Sequence, residues 1–172
     1  VVNALSSDLK AEVKRDGNLY MQEFKKGIAQ KRVKTMGKIK RTLKPDPFHP
    51  EENFTTGTSI TFQPDNTIFT ETEYNWTKVI NRLRQQAYLN KGIKIIAVDL
   101  RDKDKPKQYS FYFEGGIASY TKQLNRQDKQ KHENIFYTEK MQDNVNVEIA
   151  LKYTEEYNET LLAFTNNILN PE

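Results

Sequence analysis

Asn81-Arg82-Leu83-Arg84-Gln85-Gln86-Ala87-Tyr88-Leu89-Asn90-Lys91-Gly92-Ile93-Lys94-Ile95-Ile96 carries a helical pattern that stops at a glycine and gives way to a strand pattern. Just upstream, Trp76 and Ile80 join Leu83 and Ala87 at three- and four-residue spacing, which places all four on one helical face about 100° wide. Arg82, Arg84, Gln85 and Gln86 fall on the rest of that helix's surface. Gly92 suits the positive φ that terminates a helix, and Asn90 with Lys91 offers an amide and a cation to the exposed carbonyls of the last turn. Either Asn75 or Thr77 serves as N-cap. From Ile93 to Val98 the chain is rich in β-branched residues, so the pattern predicts a strand with both faces at least partly covered.

Upstream of this joint, Leu9, Ala11 and Val13 alternate with Lys10, Glu12 and Lys14, and Arg15-Asp16-Gly17-Asn18 supplies an Asp-Gly hairpin turn. On the returning strand Leu19 and Met21 occupy one phase and Tyr20, Gln22 and Phe24 the other, with Gly27 as its end. Val1 to Ser7 reads as the tail of a helix. Arg41 to Asn53, with Pro45, Pro47 and Pro50, reads as an extended surface loop. Thr58, Ile60 and Phe62 alternate on a further strand that closes at Pro64-Asp65-Asn66.

Downstream, Tyr109, Phe111 and Phe113 mark a strand that pairs back as a second hairpin, and Gly115-Gly116 stops it. Ile117, Tyr120 and Leu124 begin a helix of about three turns. Asn125 to Glu133 is a polar linker. Ile135-Phe136-Tyr137 is a brief strand, and Val145, Val147, Ile149, Leu151 and Tyr153 form the cleanest period-two run in the chain. Leu161 to Thr165 fits one more strand or a helical turn. Hairpins interleaved with two helices predict an α+β fold with a mainly antiparallel or mixed sheet.

Composition narrows the function classes. A chain of 172 residues holds one full domain, or a small domain plus a piece of another. Its longest apolar runs are far short of the roughly 20 residues of a membrane-spanning helix. The absence of cysteine excludes disulfides, thiolate zinc sites and cysteine nucleophiles, and is compatible with a reducing cytosol. Twenty-seven basic residues face 23 acidic ones, largely interspersed, for a net charge of +4. Only Lys25 to Lys44 is lopsided, with nine Lys and Arg and no acid. It reads as a phosphate contact or, the reading we favour, as a solvated sheet edge on which lysines discourage unwanted pairing.

The chemistry inventory is short. His49 and His132 stand in separate polar loops without spaced carboxylates, so no metal site is expected. No Gly-rich phosphate loop and no hydrolase elbow occur, and the Glu71/Glu73 pair reads as solvated. The 18 Tyr and Phe residues fall on alternating strand positions, which favours core packing over base stacking.

Eight short stretches nevertheless resemble, in order, the bacterial type II topoisomerase ATPase subunit family. They are Val1-Val2-Asn3-Ala4-Leu5-Ser6, Arg15-Asp16-Gly17, Thr56-Gly57-Thr58, Arg82-Leu83-Arg84, Ala87 to Ile93, Tyr112-Phe113-Glu114-Gly115-Gly116-Ile117, Val147 to Leu151 and Phe164 to Ile168. The Leu89-Asn90-Lys91-Gly92 wording is more similar to the DNA gyrase B branch than to its topoisomerase IV counterpart. The resemblance implies a fragment. Residues 1–65 would be the C-terminal part of a GHKL-type nucleotide-binding domain, and 66–172 an incomplete transducer domain resembling ribosomal protein S5 domain 2.

By the same resemblance, Thr58 matches a threonine that helps bind adenine through a water-linked network, and Ile60 an apolar wall position beside it. Arg15 matches an arginine at the pocket mouth. Each has an ordinary reading as well, strand alternation for the first two and a turn-side surface residue for the third. The family's catalytic glutamate, adenine-binding aspartate and glycine-rich lid would precede Val1, and the lysine reaching the γ-phosphate would follow Glu172. No catalytic residue is therefore expected here, and the fragment alone is expected to be inactive.

The implied parent is an ATP-hydrolysing DNA topoisomerase of the cytoplasm that uses ATP and Mg2+ and couples nucleotide state to strand passage. Its implied partners are DNA, the DNA-cleaving protein of gyrase A type, and a second copy of the ATPase region, with no membrane and no cofactor expected on the fragment. The alternative is a stand-alone S5-like nucleic-acid-binding module using the Lys25 to Lys44 cluster, and a third reading is a pure interaction domain.

Overall fold

A computed structural model describes residues 1–39 and 55–170. The proline-rich stretch from Arg41 to Asn53, with His49, and Lys40, Arg41 and Lys44 of the basic stretch lie outside the described residues. The chain divides into two compact units, Val1–Tyr74 and Asn75–Glu172.

The first unit is a sheet built on one hairpin. Strands β1 (Ser6–Arg15) and β2 (Asn18–Lys25) pair antiparallel from Asp8↔Lys25 to Arg15↔Asn18. Their two-residue loop places Asp16 at φ 51° and Gly17 at φ 74°, the left-handed pair whose twist matches that of the flanking strands. The same device, Lys26 and Gly27 at φ 47° and 83°, turns β2 into β3 (Ile28–Ala29). Strand β4 (Lys34–Lys38) also pairs with β2, and β5 (Gly57–Pro64) pairs with the other edge of β1, giving the order β3-β2-β1-β5.

The register sorts the side chains. Leu9 faces Phe24 and Phe62, Ala11 faces Gln22 and Ile60, and Val13 faces Tyr20 and Thr58, so these share one face of the sheet. Lys10, Glu12 and Lys14 occupy the other, where Lys10 pairs with Glu12 at 2.9 Å. At the end of β5 the buried carboxylate of Asp65 accepts the backbone N–H of Thr67 at 2.9 Å and its hydroxyl at 2.7 Å, and pairs with Lys26 at 3.1 Å. Val1 to Ser7 departs from the helical tail expected of it. Residues 2–5 form a turn closed by the Leu5 N–H on the Val1 carbonyl, and Ser6 and Ser7 already belong to β1, whose pairing outcompetes a single helical turn.

The second unit begins with α1 (Trp76–Leu89), capped by the Asn75 carboxamide, which accepts the Lys78 N–H at 3.0 Å. At its other end the Asn90 backbone N–H and side-chain amide both donate to the Gln86 carbonyl, and Gly92 sits at φ 75°. Strand β6 (Ile95–Asp99) starts two residues later than Ile93, because the Ile93 N–H closes the turn on the Asn90 carbonyl. It pairs antiparallel with β7 (Lys107–Phe111). The expected stripe is the one that packs: Ile80 and Ala87 are buried against Ala97 and Phe111, with Trp76, Leu83, Ile95 and Phe113 around them. Arg84, off that stripe, is half-buried, its guanidinium lying 5.5 Å from the Phe111 ring centre.

After Phe111 the chain leaves the ribbon, so Phe113 is not a strand residue. Its ring stacks instead on Tyr88, with centroids 3.7 Å apart. Helix α2 (Gly116–Leu124) follows, then the antiparallel ribbon β8 (Phe136–Gln142) and β9 (Val145–Leu151) around Asp143-Asn144 at φ 50° and 63°. The polar linker is partly ordered by a bridge between Gln130 and Thr154. In place of one strand over Leu161–Thr165 there is a two-residue hairpin, β10 (Phe164–Thr165) and β11 (Ile168–Leu169), turning on Asn166-Asn167. The class is α+β, and every strand pair among the described residues is antiparallel. No helix among the described residues is long and apolar enough to cross a membrane.

Candidate functional site

Two groups of side chains carry chemistry, one in each unit. In the first, β1 and β5 bring Arg15, Thr58 and Ile60 to one face. Thr58 lies opposite Val13 and Ile60 opposite Ala11, while Arg15 follows Val13 in the same phase. Thr58 is exposed, Ile60 keeps 51% of its surface open, and the Arg15 guanidinium meets the Asp16 carboxylate at 3.4 Å. The face thus offers a hydroxyl, an apolar wall and a cation at its edge. Asp65, on the turn after β5, titrates below its ordinary value chiefly through the Thr67 hydroxyl. Its tie to Lys26, and that of Lys25 to Asp8 at 3.9 Å, commits two lysines of the basic stretch to the sheet.

The second group was not legible in the sequence. Lys91, one residue past the α1 cap, extends to the β8–β9 ribbon and meets Glu139 and Glu148 at 2.9 Å each, and its ammonium also donates to the Tyr137 hydroxyl. That hydroxyl in turn donates to Glu139 at 2.8 Å or Glu148 at 3.0 Å, and the Asn146 amide supports Glu139 at 3.0 Å. Glu139 and Glu148 are direct cross-strand partners, an arrangement that is destabilising unless a cation stands between them. Lys91 supplies it. The Tyr137 hydroxyl and the two carboxylates hold the Lys91 ammonium protonated well above its ordinary range. Reciprocally, Lys91 first and then Asn146 and Tyr137 lower Glu139 to about 2.

The His132 ring is engaged locally, its Nδ1–H donating to the Asn134 carbonyl at 2.6 Å and its Nε2 accepting the Tyr153 N–H. No cluster of three His, Cys, Asp or Glu residues suited to a metal ion occurs among the described residues.

Residues 116–172 match the family model for DNA gyrase B. The chain is 38% identical over 169 residues, 98% of its length, to DNA gyrase B of Bacillus mycoides, and 39% identical over the same length to that of Staphylococcus aureus. It spans 38% and 24%, respectively, of those two relatives. Among solved structures it superposes with a TM-score of 0.79 on the 43K ATPase domain of Thermus thermophilus gyrase B, crystallised with an aminocoumarin. The identity is 30%, and the match covers 97% of this chain and 42% of that one. Gyrase B of Myxococcus xanthus shares the fold, also at 0.79, with 23% identity. Over the stretch it shares with these relatives, the chain is similar in sequence and in fold to DNA gyrase B.

Proposed function

We propose that this chain is part of the ATPase and transducer region of an ATP-dependent type II DNA topoisomerase, coupling nucleotide binding and hydrolysis to DNA strand passage. Residues 1–65 close a GHKL-type nucleotide-binding sheet and 66–172 belong to the transducer. Thr58 and Ile60 face the adenine and Arg15 stands at the pocket mouth. Their shared sheet face supports this, because a flat heteroaromatic ring suits an apolar wall next to a hydroxyl. ATP and Mg2+ serve the longer protein. On this reading this length of chain does not hydrolyse ATP by itself. DNA, the DNA-cleaving gyrase A-type protein and a second ATPase region are its partners, and its compartment is the cytoplasm.

The observation that carries the coupling is the way α1 is fixed. One apolar stripe locks it to β6–β7, so helix and ribbon move together rather than deform. In the intact protein, Ile80→Ala is expected to leave ATP hydrolysis largely in place while lowering strand passage per ATP consumed. Loss of both in equal proportion overturns the coupling role. Thr58→Ala is expected to raise the Kd for nucleotide about tenfold, the cost of one hydrogen-bonding group, and an unchanged Kd removes Thr58 from the pocket.

The nucleic-acid alternative retains one observation: Lys34 and Lys38 are exposed on β4. Filter binding of this chain to duplex DNA over a salt series decides it, since a phosphate-contacting patch gives a steep slope and a solvated edge does not.

A further inference from the structure

The last turn of α1 and the residues just past it hold four neighbours by different means. The apolar stripe holds β6–β7. Asn167 of the small β10–β11 hairpin accepts Gln86 on its carbonyl at 3.0 Å and donates its amide to Asn90 at 2.8 Å. Helix α2 offers Tyr120, whose ring lies 5.0 Å from Tyr88 and whose hydroxyl accepts from Gln85 at 3.3 Å. The β8–β9 ribbon is met by Lys91.

This last attachment is unlike the others. By register, Tyr137, Glu139, Asn146 and Glu148 share the ribbon face that receives Lys91, while Phe136, Val145, Val147, Ile149 and Leu151 share the opposite face and remain exposed. The ribbon thus turns its ionic side, which also carries Ala150 and the exposed Met141, towards the end of α1 and keeps Phe136, its β-branched residues and Leu151 on the other face. The Lys91 stem also runs over the start of α2: a Cβ on Gly116, which sits at φ +52°, would stand 2.6 Å from the Lys91 Cε and 2.7 Å from its Cγ. A side chain at 116 and a lysine stem at 91 cannot share that space.

We propose that Lys91 is a releasable pin, a positioning residue that fixes the β8–β9 ribbon and the first turn of α2 to the end of α1 by charge, so that the ribbon detaches as a unit while α1 stays on β6–β7. The pin belongs to the second unit alone and does not depend on the proposed function. Besides the packing of β9 on α2, the ribbon's tie to α1 is one partly exposed ammonium between two carboxylates, which neutralising a single charge breaks, whereas the apolar joint of Ile80, Ala87, Ala97 and Phe111 yields only with the core.

Amide hydrogen exchange on this chain tests it. Lys91→Met keeps the stem and removes the charge. It is expected to speed exchange in β8 and β9 about tenfold, with α1 and β6–β7 unchanged. The Glu139→Gln/Glu148→Gln double variant is expected to match it, and adding Lys91→Met to that double variant is expected to change nothing more, the non-additivity of partners in one interaction. Gly116→Ala, which leaves every charge in place, is expected to loosen the ribbon as well by displacing the stem. Raising the salt concentration around the unmodified chain gives a reading that needs no variant, and β8–β9 exchange is expected to rise ahead of α1. Unchanged ribbon exchange in Lys91→Met, acceleration spread equally over α1 and β6–β7, additive effects, or a ribbon indifferent to salt overturns the proposal.

Discussion

The two units dispose of their apolar residues in opposite ways. In the second, a helix stripe and a ribbon face meet, and Ile80, Ala87, Ala97 and Phe111 are buried between them. In the first, the alternation is as regular, yet Leu9 is buried while Ile60 and Phe62 keep 51% and 44% of their surface open. Period-two alternation sets which side chains share a face, and register sets who stands beside whom, but burial needs a second layer. The stability of α1 is therefore vested in packing, and that of the five-stranded sheet in its turns and cross-strand pairs.

That contrast is broken or sharpened by substitution. The largest expected effect is that of Ile80→Ala, which empties a packed site and is expected to destabilise the second unit by about 2–5 kcal/mol. Trp76, the only tryptophan in the sequence and a neighbour of that core, reports the loss in urea unfolding, and an unaltered midpoint refutes the packed-joint description. Gly17→Ala forces a Cβ into a left-handed position and is expected to cost the first unit about 1–2 kcal/mol, seen as faster amide exchange along β1 and β2 with the tryptophan transition unmoved. Asn75→Ala removes the α1 cap at a cost of about 1 kcal/mol, measured on the same Trp76 transition. Ile60→Ala, on the open sheet face, is expected to cost no more than about 0.5 kcal/mol, and a loss comparable to that of Ile80→Ala would mean that the face is covered in solution.

The smallest effect is on acid behaviour. The folded-state pKa of Glu139 lies near 2, below its ordinary 4.5, so the ribbon's stabilisation by this group is complete above 4.5 and is lost as pH falls towards 2. Glu139→Gln is expected to flatten the pH dependence of β8–β9 exchange across that window, and an unaltered slope shows that the carboxylate is not engaged in solution.

What the sequence revealed follows the same divide. The α1 stripe was legible because four apolar residues, an Asn cap and a terminating glycine all point to one helix, and its partner ribbon followed from β-branched and aromatic residues. The alternation of each strand was legible, but the pairing of β1 with β5 that brings Arg15, Thr58 and Ile60 to one face joins segments distant in sequence and was not, while the roles assigned to the three came only from family resemblance. The Lys91 network escaped notice because it joins residues 48 and 57 positions apart, and its clue was indirect: centring the ribbon on Asp143-Asn144 sets Glu139 against Glu148 and leaves both in need of a cation. The Asn166-Asn167 hairpin was missed for a similar reason, two side-chain amides in left-handed backbone hidden at the end of an apolar run.

The tight left-handed corners of the ribbons bear on how the chain comes together. Hairpins around Asp16-Gly17 and Asp143-Asn144 join neighbours in sequence, and such closures take about 1–10 μs. Strand β5 reaches β1 only after a span of roughly 40 residues has closed, at an entropic cost that local pairing never meets. Nascent chains should therefore display the β1–β2 corner early and acquire the Thr58 edge late, which makes the last-assembled side of the sheet the place where a folding helper or a misfolding partner finds an unpaired β1.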